Sequence, residues 1–239
     1  MPLGMRIRAA RRGSEHKVAL IAPDLSFVYV PVPKAANSSI KYTLMRIQGV
    51  ERGKADLNAL HADTHPYRSL TELSRDELAQ VFRSNTAFRF TFVRNPYSRL
   101  TSAYRDKIAN EQEPNTGNRY SKKLRLGPRA TFAQFVEAVA AQPDRSSDWH
   151  WMSQARCTMV QFVQYNFIGR IEALERDLLF VLKTIAPSWN STDLDTRTNL
   201  NASGLTQKLY NERLAALVAR RYREDFKIFE YDVESWRDF

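Results

Sequence analysis

Two short stretches carry residue types suited to binding an anion. In residues 27–47, FVYVPVPKAANSSIKYTLMRI, an apolar run ends at Lys34 and passes through Ala35, Ala36, Asn37, Ser38 and Ser39 into a helical pattern. A strand feeding a helix N-terminus gathers backbone N–H groups that lack intrahelical acceptors, so a lysine beside them makes the turn a fit for a phosphate-bearing ligand. The order differs from the nucleotide-triphosphate loop G-x-x-x-x-G-K-[ST]: here the lysine comes first and no glycine is present. In residues 90–107, FTFVRNPYSRLTSAYRDK, Arg94 leaves a second strand and Ser102 follows eight residues later. A guanidinium is a rigid fork matched to phosphate, and a nearby hydroxyl adds a donor. Two such turns on one sheet edge point to a ligand phosphorylated at two places. Arg99 and Arg105 read as ordinary cations of a solvated face.

The elements that must position these residues are legible as alternating strands and helices. Apolar runs at 18–21 and 27–30, separated by APDLS, predict a strand pair; Ile40, Leu44 and Ile47 predict one face of a helix ending near Gly49. A polar loop over 51–67 carries His61 and His65, and a serine cap precedes a helix over 75–82. FRFTFV, 88–93, reads as a strand, with Asn95 capping the next helix and Pro96 at its first position, where a missing N–H does no harm. A loop is expected over 110–129, then a helix opened by the Thr131–Gln134 capping box. A strand over 162–171, a helix over 175–185, a loop over 188–204 and one long amphipathic helix over 205–226 complete the pattern. Such alternation predicts an α/β fold with a mainly parallel sheet and the ligand at the C-terminal strand edge.

The two stretches VPKAANSSIK and FVRNPYSRLTSAYRDK resemble the 5′-phosphosulfate and 3′-phosphate binding motifs of the sulfotransferases, in particular the carbohydrate-type group that includes the chondroitin and heparan 2-O enzymes. The resemblance continues through DWHWMSQARC, FIGRIEALERDL, LNAS and YREDFKIFEYD. It implies a P-loop-like three-layer domain, the donor 3′-phosphoadenosine 5′-phosphosulfate (PAPS), the product adenosine 3′,5′-bisphosphate, and an acceptor hydroxyl, expected on a carbohydrate. Lys34, Ala35, Ala36, Asn37, Ser38 and Ser39 match the 5′-phosphosulfate loop; Arg94 and Ser102 match the 3′-phosphate site. Lys34 is then the residue that stabilises charge on the leaving oxygen. In-line sulfuryl transfer also needs a base for the acceptor proton, and histidine ionises near neutrality. The candidates are His16, His61, His65 and His150. Related enzymes carry the base between the two motifs, a place that His65 fits best, with His61 as its rival and His150 or an acidic side chain behind them. No metal is required. HADTH has zinc-like spacing but lacks the glutamate of H-E-x-x-H.

Bulk properties narrow the alternatives. With 239 residues and 43% apolar content the chain supports one sizeable core, expected as a single sulfotransferase domain over 17–239 behind a basic, flexible segment over 1–16. The 36 Lys and Arg against 26 Asp and Glu give a formal charge of +10, which suits an anionic partner of unspecified kind. One cysteine, Cys157, excludes an internal disulfide framework and reads as a small buried hydrophobe. No apolar run reaches membrane-spanning length and no signal sequence is evident, so a soluble, cytoplasmic protein is expected. Trp149 and Trp151 read as core before acceptor-stacking platforms. Two rivals remain: a P-loop-type kinase, disfavoured by the missing glycines, and a basic nucleic-acid-binding module, disfavoured by scattered cations and the lack of a recognition motif.

Overall fold

The computed structural model describes residues 19–50, 66–109, 119–189 and 203–239. In chain order the elements are β1 (Leu20–Ile21), β2 (Phe27–Val30), α1 (Asn37–Ile47), α2 (Arg75–Arg83), β3 (Phe88–Val93) and α3 (Pro96–Tyr104). A five-residue π-helical turn, Arg105–Ala109, continues α3. Then come α4 (Arg119–Leu124), α5 (Phe132–Ala141), α6 (Gln154–Thr158), β4 (Phe167–Arg170), α7 (Leu174–Ile185), α8 (Ser203–Leu209), α9 (Glu212–Arg221) and α10 (Arg223–Ile228).

The chain forms two compact units, each assembled from separate segments. The first holds the four strands found among the described residues, in the order β1-β2-β3-β4, together with α1, α2 and α7. β1 runs antiparallel to β2, whereas β2, β3 and β4 are parallel, with Val30 opposite Thr91 and Val93 opposite Arg170. The α/β expectation with a mainly parallel sheet therefore holds. β2 is buried at every position, and Phe90 of β3 lies against Tyr29 with ring centroids 5.2 Å apart. The one charged residue of β3, Arg89, is also buried, because its guanidinium donates to the carbonyls of Val81, Ser84 and Gln164. Gly169 of β4 faces Phe92, and a Cβ there would run into the phenyl ring. The helix caps follow the sequence. Ser74 and Glu77 form a reciprocal capping box on α2, and Leu174–Ile185 buries Leu174, Leu178, Val181 and Leu182.

The second unit is helical around Trp151, which is fully buried among Tyr97, Phe135, Val218, Tyr222 and Phe226. Its indole N–H donates to Gln142 Oε1 at 3.1 Å, and its carbonyl accepts from the Tyr222 hydroxyl at 2.6 Å. Trp151 is thus core, as the sequence suggested, and Trp149 is half-buried. Cys157 is buried as expected, and burial pushes its thiol up to about 12. Asn95 caps α3 by accepting from the Tyr97 N–H, and Thr131 and Gln134 form the capping box of α5.

Three expectations are corrected. The strand predicted over 162–171 is only Phe167–Arg170: Met159 adopts φ 53°, its carbonyl accepts from Val163 N–H, and this turn leaves Phe162 exposed. Pairing starts where Asn166 exchanges hydrogen bonds with the Arg89 backbone. The long helix predicted over 205–226 is three helices. Asn211 is extended and caps α9 through the Leu214 N–H, and Tyr222, at φ −111°, separates α9 from α10. Within the loop predicted over 110–129, residues 119–124 are helical. Among the described residues no helix is long and apolar enough to cross a membrane.

Candidate functional site

β2 and β3 are adjacent and parallel, so their C-terminal ends leave the sheet on the same edge, and the two anion-binding stretches follow them directly. After β2 the backbone turns sharply. Lys34 has φ 68° and Ala36 φ 50°, both left-handed conformations that a side chain disfavours. Ala35 between them is fully buried. The strain is local to the loop and aims the chain into α1, whose N-cap residue, Ala36, supplies no side-chain hydrogen bond. The first backbone bond of the helix is Ile40 N–H to Ala36 O, so the N–H groups of Asn37, Ser38 and Ser39 have no acceptor within α1. Asn37 and Ser39 are half-buried and Ser38 is exposed; Tyr29 donates to Asn37 Oδ1 at 3.5 Å.

In the second unit, Lys34 and Arg94 belong to one bonded frame. Arg94 donates from Nη1 to the Lys34 carbonyl at 3.2 Å and from Nε to Ser98 Oγ at 2.9 Å. Its backbone is fixed by Gln154, which accepts from Arg94 N–H at 2.9 Å and donates to Arg94 O at 2.7 Å. Gln154 is held in turn by Asp225, whose carboxylate accepts from the N–H groups of Gln154 and Ala155, both at 2.8 Å. The sequence selected Ser102 as the hydroxyl partner. The structure puts Ser98 on the guanidinium, with Ser102 half-buried one helical turn further along the same face of α3. The sequence signal for Ser98 was its place four residues after Arg94.

The Lys34 ammonium meets Asp106 Oδ2 at 2.9 Å, and Lys107 meets the same oxygen at 3.0 Å. Both partners lie on the π-helical turn that prolongs α3. Burial lowers the Lys34 pKa, with Asp106 opposing it and Lys107 and Arg94 adding to it. Burial alone would raise Asp106, but Lys34 and Lys107 hold its carboxyl below the ordinary value. An anionic ligand at Lys34 would compete with this carboxylate.

Arg99 is the main correction at the site. It is buried, not solvated, and ties three carbonyls together: Nε donates to Pro33 O at 2.9 Å, Nη1 to Met152 O at 2.8 Å and Nη2 to Trp149 O at 3.3 Å. One guanidinium thus joins the residue before Lys34 to Trp149 and Met152, which bracket His150 and Trp151 in the chain. Arg105 is exposed, as expected. His150 Nδ1 lies 2.7 Å from Asp148 Oδ1, and Lys123 binds the other carboxylate oxygen at 2.8 Å. The Tyr120 ring meets the imidazole edge-on at 5.3 Å. Burial lowers the His150 pKa, Asp148 opposes this, and Lys107 and Lys34 lower it further. For Asp148 burial acts upward, but His150 and Lys123 prevail and hold the carboxyl well below the usual range. The pair is therefore a carboxylate beside a neutral imidazole at neutral pH. His16, His61 and His65 lie outside the described residues. Among the described residues no group of three or more His, Cys, Asp or Glu side chains is placed to hold a metal ion.

A model described as the sulfotransferase family matches residues 17–232. The chain is 29% identical over 227 residues to carbohydrate sulfotransferase 8 of Mus musculus, covering 85% of this chain and 54% of that protein. It is 25% identical over 262 aligned positions to carbohydrate sulfotransferase 11 of Rattus norvegicus, covering 97% and 72% respectively. Carbohydrate sulfotransferase 8 of Homo sapiens is 28% identical, covering 85% of this chain and 53% of that protein. The chain thus spans about half the length of the first of these relatives. No solved structure gives a significant match.

Proposed function

The chain belongs to the sulfotransferase family, and from that membership we propose that it transfers a sulfuryl group from PAPS to a carbohydrate hydroxyl. The observation that carries this reading is the bonded frame in which Arg94 grips the Lys34 carbonyl and Ser98, so that two phosphate-seeking cations are held in fixed relation. Lys34 faces the 5′-phosphosulfate end, with the backbone N–H groups of Asn37, Ser38 and Ser39 and the hydroxyls of Ser38 and Ser39 following it in the chain. Arg94 faces the 3′-phosphate, with Ser98 and Ser102 as hydroxyls on its helix. The parallel β2 and β3, each leading through a loop to a helix, support a P-loop-like arrangement. Neither unit is contiguous in sequence and the family match runs through both, which supports one functional domain over 17–239.

The chemistry follows from what these residues can do. The donor supplies an activated sulfuryl group; the protein contributes position and preorganised charge. Lys34, already desolvated and paired with Asp106, stabilises negative charge on the oxygen that leaves sulfur. A histidine receives the acceptor proton. A carbohydrate acceptor is carried over from the names of the relatives, which act on carbohydrate by those names.

The test compares thermal stabilisation by adenosine 3′,5′-bisphosphate with that by ATP and by an oligonucleotide. Stabilisation by the bisphosphate at concentrations where the other two have little effect is expected. Equal stabilisation by ATP, or none by the bisphosphate, overturns the proposal.

A further inference from the structure

Resting on the sulfotransferase reading, we propose that His150, oriented by Asp148, is the group that takes the proton from the acceptor hydroxyl. The role that the resemblance gave to His65 or His61 then belongs to a turn C-terminal to both phosphate-binding stretches.

The geometry leads there from three sides. Asp148 accepts at Nδ1, so the neutral imidazole carries its proton on Nδ1 and its lone pair on Nε2. Among the described residues no hydrogen bond engages Nε2, and the side chain keeps 16% of its surface accessible. Arg99 binds the carbonyl of Trp149, next to His150, that of Met152, two residues beyond it, and that of Pro33, next to Lys34. The acceptor of the proton and the stabiliser of the leaving oxygen are thus set by one guanidinium. Asp148 is itself fixed by Lys123, and Tyr120 closes one side of the ring.

The charges around the imidazole fit the role. The charges that act on it are Asp148 in its own turn, in direct contact, and Lys107 on the π-helical turn and Lys34 in the loop after β2, through space. Lys123 reaches it through Asp148. Burial and the two lysines keep it neutral at pH 7, hence able to accept a proton, and Asp148 stabilises the imidazolium once formed. In the step, the acceptor oxygen forms its bond to sulfur while the bond from sulfur to the 5′-phosphate oxygen breaks. That oxygen keeps the electron pair and leaves as adenosine 3′,5′-bisphosphate beside Lys34. The acceptor proton goes to His150 Nε2 and later to solvent.

The experiment has two readouts. In the first, histidine side chains labelled with ¹⁵N are titrated by NMR with and without adenosine 3′,5′-bisphosphate, His150 being assigned by its absence in His150→Gln. Bound nucleotide brings phosphate charge beside Lys34, so the His150 midpoint is expected to rise and its free-protein tautomer to be the Nδ1–H form. In the second, turnover of ³⁵S-labelled donor is measured on chemically desulfated glycosaminoglycan. His150→Gln is expected to lose about a hundredfold to ten-thousandfold while keeping the thermal shift given by the nucleotide. Asp148→Asn should lower turnover and move the acid limb of the pH profile to lower pH, because the carboxylate is what raises the imidazole. Near-normal turnover in His150→Gln overturns the proposal. So does a nucleotide-saturated protein whose His150 titration is unmoved, and that result decides alone if the wild type does not use the glycosaminoglycan. A wild type that binds no nucleotide refutes the sulfotransferase reading instead.

Discussion

Arg94 and Arg99 lie five residues apart on the same chain segment and have opposite fates. Arg94 satisfies Nε and Nη1 within the protein and is half-buried; Arg99 spends its guanidinium on three backbone carbonyls and is buried. The first was legible in the sequence because a cation leaving a strand end ahead of a capped helix is a local pattern. The second was not, since Pro33, Trp149 and Met152 are far from it along the chain and no short window contains them. Arg94→Ala should weaken binding of adenosine 3′,5′-bisphosphate by about 2–4 kcal/mol, through loss of a charge-assisted contact to a dianion. Adenosine 5′-phosphate should be affected much less, and calorimetry of both ligands distinguishes a specific loss from a general one. Lys34→Ala should lower turnover about a hundredfold or more at saturating donor, the scale for one preorganised transition-state donor. A variant slow only at low donor would make Lys34 an anchor for the ground state.

At the scale of elements, caps and strands with local signatures were readable, and features set by distant partners were not. Ser74 with Glu77, Asn95 with Pro96, and Thr131 with Gln134 all act at the ends where they were expected. The start of β4 was missed because Phe162 and Val163 look like strand residues, yet the turn at Met159 separates them from the sheet. The break between α8 and α9 was missed because the amphipathic pattern runs through it, although Asn211 is a strong N-cap residue. Gly169 provides a test of the sheet. Gly169→Ala places a methyl group against the Phe92 ring in the core, where overpacking costs about 1–3 kcal/mol. Chemical denaturation should show that loss with an unchanged slope. A neutral result would mean that β3 and β4 can separate enough to admit the methyl group.

For the whole molecule, acid stability is set by opposed groups. Burial acts upward on Asp144, but Ser153 and Arg221 hold its carboxyl below 3.8, as His150 and Lys123 do for Asp148. The native state therefore binds fewer protons than the unfolded chain, so this stability is complete above about pH 4 and is lost as pH falls through the native pKa values. Asp225 acts in the other direction. Burial raises it to about 6, so its contribution is present below 3.8 and declines as pH rises through about 6. Asp144→Asn should flatten the acid side of the stability curve and leave the neutral side with a constant offset, as followed by urea unfolding at stepped pH. The family reading and the α/β class were legible at this scale, because they depend on motif order and alternation. The division into two units was not, since it depends on which segments pack together.

That division has a consequence for how the protein is made. The core around Trp151 takes residues from Tyr97 to Trp236, and the sheet is incomplete until Phe167–Arg170 has been synthesised. A nascent chain released from the ribosome as far as Cys157 exposes the unpaired edge of β3 and lacks Leu214, Val218 and Phe226 of the helical core. A fragment ending there should give no cooperative thermal transition, as read by circular dichroism. During translation, both units must wait for later segments, leaving apolar surface open to chaperones and proteases for much of synthesis.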